Sequence, residues 1–288
     1  MSSARPTDDT TPLGILCGGG SIPVAVADAV IKQGRAVVMF PLIGWADPQA
    51  MARYAHHWIH VGKVGEFTRL ARAAGCREIV LVGTLLRPSL KQVRLDWATV
   101  RMFPHIARSF RGGDNHLLSG VARIFERQGF LLRGAHEVAP EILIHEGALG
   151  SKAPSARDEA DIARGLAVLA ATGEFDIGQA AVVANRNIIA LEAAEGTDRM
   201  LDRVAALRRD GRMRVPEGVG VLVKAAKPNQ DHRFDLPAIG PSTVEGVARA
   251  GLAGIAIVAG EAIIAEPQQV AKRADDLNVF VAGVRRQP

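Results

Sequence analysis

Short runs rich in Val, Ile and Leu alternate along this chain with longer segments of helical periodicity, and that alternation constrains the fold more than any other feature. In the first half, residues 13–17, 36–40, 58–61, 79–82 and 130–133 read as strands, with helices over about 22–32, 64–74 and 114–128. Strand and helix in alternation predict a parallel sheet with helices on its faces. The pattern loosens over 140–155, around Gly147, Gly150 and Pro154, which reads as an inter-domain link. It resumes with an Ala-rich helix over 158–172, strands at 180–184 and 188–192 forming a hairpin around Asn185-Arg186-Asn187, and a helix over 197–208. A buried strand at 219–223, a helix over 244–250, strands at 254–258 and 262–264, a helix from Pro267 and a last strand at 279–281 complete the chain. The expected fold is therefore α/β in two domains. A Rossmann-like parallel sheet is expected over residues 12–142 and a mixed α/β domain over 153–288, with a cleft between them.

At 288 residues the chain has room for two hydrophobic cores. Its 48% hydrophobic and 23% charged residues are ordinary for a globular protein. A formal charge of +5 favours acidic partners such as nucleotides, phosphates or anionic head groups. Nucleic acid is not expected, because no dense Lys/Arg cluster is interleaved with aromatics and the chain has a single Tyr. Cys17 and Cys76 stand in apolar contexts without metal-ligand spacing, which fits a reducing cytoplasm. The first twelve residues lack the pattern of a secretory signal, and no apolar run reaches bilayer-spanning length, so any membrane contact is expected to be peripheral. The segment 94–111, which mixes Trp97, Met102, Phe103, Ile106 and Phe110 with arginines, suits packing between domains better than docking on a membrane surface.

Three loops carry polar groups at the ends of expected strands. The first is Gly18-Gly19-Gly20-Ser21, a glycine turn between strand and helix of the kind that lets a backbone approach a phosphate. It lacks the spacing of a dinucleotide fingerprint, and no acidic residue ends the second strand, so a nicotinamide oxidoreductase is disfavoured. Arg87, after the strand at 79–82, would lie at the same sheet edge as an anion contact. Asp114 suits a helix N-cap, and His116, His136 and His145 do not fall at metal spacing. The second loop holds three carboxylates, Glu192, Glu195 and Asp198, beside a glycine turn and a helix start that Thr197 could cap.

The third loop is the richest. Directly after the 219–223 strand come Lys224, Lys227, Gln230, Asp231, Arg233 and Asp235, stiffened by Pro228, Pro237 and Pro241 and followed by Thr243 at a helix start. Lysine and arginine neutralise phosphate oxygens, and carboxylates can hold a divalent cation that bridges those oxygens or activates water. The plainer alternative is a solvated loop whose charges pair with one another.

Taken together and in order, these segments resemble the LpxI-type UDP-2,3-diacylglucosamine pyrophosphatases. The resemblance runs through Gly18-Gly19-Gly20 with Pro23, Gly62-Lys63-Val64-Gly65, Arg87-Pro88, Asp176-Ile177-Gly178-Gln179, Glu195-Gly196-Thr197-Asp198, and Lys224 through Asp231 to Gly240. Asp114-Asn115 departs from the paired aspartates expected there. What the resemblance implies is metal-dependent hydrolysis of UDP-2,3-diacylglucosamine to 2,3-diacylglucosamine 1-phosphate and UMP, with Mg²⁺ or Mn²⁺ as cofactor. It further implies a substrate cleft between the two domains, a Gram-negative cytoplasm and contact with the inner leaflet of the inner membrane; the sequence leaves open whether the chain forms a homodimer. On this reading Asp231, Gln230 and Asp198 are catalytic, and Asp231 and Asp235 hold the metal. Gly18, Gly19, Gly20, Ser21, Arg87, Gln179, Thr197, Lys224, Lys227, Arg233 and Thr243 contact substrate. The alternative is a non-catalytic protein that binds a nucleotide or a lipid head group.

Overall fold

Two large sheets and one two-stranded sheet organise the described residues. The structure is a computed structural model; it describes residues 10–85, 93–97, 99–100, 114–173, 175, 177–227, 231–234 and 236–286, with the side chains of 114–119 and 121 left aside. The chain divides into two units, Met1–Glu141 with Asp231–Asp235, and Ile142–Gln230 with Leu236–Pro288.

The first unit runs β1 (Leu13–Cys17), α1 (Ile22–Lys32), β2 (Val37–Pro41), the single turn α2 (Pro48–Met51), α3 (Val64–Ala73), β3 (Glu78–Val82), α4 (Asp114–Arg127), β4 (Leu131–Arg133) and the turn α5 (Ala135–Val138). Its four strands are all parallel, in the order β2-β1-β3-β4. The chain steps outward from β1 to β2 and then returns to the other side of β1 with β3, so the strand order reverses between β1 and β3. The strand expected at 58–61 is only partly made. Residues 55–59 run beside β2, with Met39 N–H donating to Ala55 O, His57 N–H to Met39 O and Ile59 N–H to Pro41 O, but they form isolated bridges and no continuous ladder. An aromatic cluster fills one face: Phe67 meets Phe40 and Phe125 edge-on, each at 4.9 Å between ring centroids, with Ile79, Phe130 and Leu132 around them. Phe234 packs against this same cluster, which gives the 231–235 segment an apolar anchor.

The second unit contains β5 (Gly147–Ala148), α6 (Ala156–Gly173), β6 (Ala180–Ala184), β7 (Asn187–Leu191), α7 (Gly196–Arg209), β8 (Val221–Lys224), β9 (Ala238–Ile239), α8 (Pro241–Arg249), β10 (Gly254–Val258), β11 (Ile263–Ile264), α9 (Pro267–Asp276) and β12 (Phe280–Val284). Its main sheet has the order β5-β12-β10-β8-β6-β7, parallel across β8, β10 and β12 and antiparallel at β6 and β5. The stretch read as a link thus supplies an edge strand, because Gly147 and Ala148 pair with Gly283 and Ala282. Strands buried on both faces explain why β6, β8 and β10 read as unbroken apolar runs. One face is covered by α6 through Ile162, Leu166 and Leu169. The other is covered by Met200, Leu201 and Val204 of α7, Val244 and Val247 of α8, and Val270 and Ala274 of α9.

The hairpin between β6 and β7 turns on Asn185 and Arg186, both at positive φ (49° and 64°). That is the geometry of the mirror-image turns that match strand twist. The wholly buried carboxylate of Asp161, on α6, accepts the backbone N–H groups of both residues at 3.1 and 2.5 Å. Here a buried charge is stabilised by backbone donors, and the hairpin is fastened to the helix beneath it.

Candidate functional site

Lys224 ends β8 and is only 6% exposed. Its ammonium donates to Thr197 Oγ1 at 3.0 Å and to the Ala238 carbonyl at 3.1 Å. Thr197, in the first turn of α7, in turn donates to Glu192 Oε1 at 2.8 Å, and Glu192 Oε2 accepts the backbone N–H of Gln179 at 2.8 Å. The topology brings these groups together. The antiparallel register opposes Ala180 to Lys224, so Gln179 enters β6 where β8 ends, and β7 delivers Glu192 to the same edge. Gly178 is required by this arrangement, since a Cβ there would lie 2.3 Å from the Glu192 carbonyl oxygen. The chain after Lys224 continues the contact, with Ala225 N–H donating to Gln179 O. Lys227 follows, half-buried.

This cluster unites three residues assigned to substrate from the sequence, Lys224, Thr197 and Gln179, with one that was given no role there, Glu192. Of the three carboxylates between 192 and 198, Glu192 turns inward. Glu195 pairs with Arg203 at 2.7 Å, and Asp198 is exposed, with no hydrogen bond or ion pair among the described residues. Thr197 does not cap α7, because its hydroxyl is committed to Glu192 and Lys224. Thr243 is buried near the start of α8, where its hydroxyl accepts the Gly240 N–H at 3.4 Å.

Asp231 and Arg233 belong to the first unit. Arg233 grips the Asp231 carboxylate, with Nη2 at 2.8 Å from Oδ2 and Nε at 3.0 Å from Oδ1, while its own backbone N–H reaches Oδ1 at 3.1 Å. Its remaining arm reaches Glu126 Oε1 at 3.0 Å, and its guanidinium lies 5.1 Å from the centre of the Phe234 ring. Partial burial raises the Asp231 carboxyl, but the hydrogen bonds and charge of Arg233 outweigh it and hold the group below its ordinary value. Hydrogen bonding to Asp231, and then to Glu126, raises Arg233 further above its already high value. His136 and His232 meet edge to face at 6.3 Å beside this pair.

The glycine loop has a different job from the one its composition suggests for all of it. Gly18 N–H donates to Val82 O, and Gly19 and Thr84 exchange backbone hydrogen bonds at 2.9 and 2.8 Å. A Cβ on Gly18 would sit 2.3 Å from the Thr84 carbonyl oxygen, and one on Gly19 2.8 Å from that of Trp45. These glycines lock the ends of β1 and β3 together, so their N–H groups are spent within the fold. The outward part of the turn is Gly20, at φ 88°, with Ser21, whose side chain makes no cap to α1.

Arg87, Gln230 and Asp235 lie outside the described residues. Among the described residues no group of three His, Cys, Asp or Glu is spaced to hold a metal, and both oxygens of Asp231 are engaged by Arg233. As placed, the described side chains do not by themselves form a metal site.

Family models for the LpxI N-terminal domain and the LpxI C-terminal domain match residues 12–142 and 145–282. The chain is also 40% identical over 275 residues to the UDP-2,3-diacylglucosamine pyrophosphatase LpxI of Caulobacter vibrioides, covering 96% of this chain and 98% of that protein. With both domains matched in order and the relative covered end to end, the chain belongs to the LpxI family.

Proposed function

We propose that this protein hydrolyses the pyrophosphate bond of UDP-2,3-diacylglucosamine, releasing UMP and 2,3-diacylglucosamine 1-phosphate for lipid A synthesis. The observation that carries the reading is the end-to-end identity with a pyrophosphatase of that name. The geometry agrees in kind. Lys224, held by the Thr197 hydroxyl, sets an ammonium at a strand end beside the start of α7, a combination suited to phosphate oxygens. Water must be placed in line with one phosphorus, and we assign that role to Asp231, which Arg233 keeps ionised. Lys227 and the Gly20-Ser21 turn are assigned to further substrate contacts. A requirement for Mg²⁺ or Mn²⁺ is proposed from the charge of the pyrophosphate. The acylated substrate implies work at the cytoplasmic face of the inner membrane; no helix among the described residues is long and apolar enough to cross one.

The residue assignment is tested with Asp231→Ala. The expected outcome is a folded protein that binds UMP but releases it from substrate at least about 100-fold more slowly. Turnover like that of the unsubstituted protein would overturn the assignment of Asp231.

A further inference from the structure

We infer that Glu192 is a positioning residue for Lys224, the proposed phosphate contact, acting through Thr197; the inference rests on the function proposed above. A hydroxyl has one proton to give and two lone pairs. Glu192 Oε1 accepts that proton at 2.8 Å, which turns the lone pairs of Thr197 toward Lys224, and Lys224 donates to them at 3.0 Å. The other carboxylate oxygen is fixed by Gln179 N–H at 2.8 Å, and the Glu192 backbone by its own N–H on Ala180 O at 2.9 Å. The carboxylate therefore cannot swing away: Lys224 donates to Thr197 and Thr197 to Glu192 on one side, Gln179 donates to Glu192 on the other, and both directions end on a group that only accepts.

Glutamine at this position would have nearly the same shape and could not serve both ends. With its amide oxygen toward Thr197, its NH₂ faces the Gln179 N–H, donor against donor. With the amide reversed, its NH₂ donates to Thr197, so the hydroxyl receives protons from both the introduced amide and Lys224 and must redirect its own. Either way the direction of the Thr197 hydroxyl, and with it the place of the ammonium, is no longer fixed.

The test is steady-state UMP release from UDP-2,3-diacylglucosamine by the full-length protein and by Glu192→Gln, Thr197→Val and the double variant, with thermal melts of each. Glu192→Gln is expected to lower kcat by ~10-fold or more, the scale set by misplacement of a contact group, while the melting temperature stays near that of the unsubstituted protein. In the Thr197→Val background the same change is expected to cost little more, because its effect passes through that hydroxyl. A Glu192→Gln kcat like that of the unsubstituted protein, or losses that simply multiply in the double variant, would overturn the inference while leaving the proposed activity standing. No UMP release by the unsubstituted protein would overturn both.

Discussion

Asp231 and Arg233 are two residues apart and hold each other, which is the self-pairing a charged loop offers as its plainer reading. The pairing also keeps the carboxylate charged at neutral pH. His136, beside them, behaves oppositely. Its Nδ1 is buried with no hydrogen-bond partner among the described residues. Burial lowers its basicity, and the neighbouring His232 adds to that effect, against the opposing pull of Glu137, Asp231 and the His232 backbone. A base whose folded pKa lies below its unfolded value of about 6.5 binds fewer protons folded than unfolded as pH falls through that value. Stability from this residue is thus complete above about pH 6.5 and lost below it. Melting temperatures taken from about pH 8 to about pH 5 are expected to fall less steeply for His136→Gln than for the unsubstituted protein. Parallel curves would show that the ring does not carry this dependence.

Elements were legible where their sequence periodicity was strong, as in β1 and α1, whose limits follow from apolar runs and Pro or Gly punctuation, and in α9, whose start Pro267 marks. What the elements do to one another was less legible. Gly18 and Gly19 look like phosphate-cradle residues because a glycine pair is permissive, but their actual constraint is the close approach of Thr84 and Trp45, set by segments distant along the chain. Gly18→Ala would force its Cβ against the Thr84 carbonyl and is expected to cost ~1–3 kcal/mol of folding stability, read as a lowered denaturant midpoint. Asp161 gave no signal in an Ala-rich helix, because the turn it holds lies 24 residues on. Asp161→Ala removes two hydrogen bonds to a charged acceptor and is expected to cost ~1.5–3 kcal/mol, measured in the same way. For both variants, an unchanged midpoint would contradict the packing described.

Across the whole molecule, the two-sheet α/β architecture could be read from strand and helix alternation, and the family from motifs spread along the chain. The site was legible only as a set of residue types. Lys224 and Thr197 are 27 residues apart and meet because β8 ends where α7 begins, and spacing alone does not reveal which of Glu192, Glu195 and Asp198 turns inward. The return of 231–235 to the first unit is likewise fixed by contacts distant in sequence: Phe234 in the aromatic cluster and Arg233 on Glu126. We propose that this fold hydrolyses a lipid-linked nucleotide pyrophosphate. The most direct test is UMP release from UDP-2,3-diacylglucosamine by the purified protein, with added Mg²⁺ and again after chelation. Metal-stimulated UMP release that chelation abolishes is expected, whereas tight substrate binding with no UMP released under any divalent metal would contradict the proposed hydrolysis and mark the protein as a binder of nucleotide or lipid head groups.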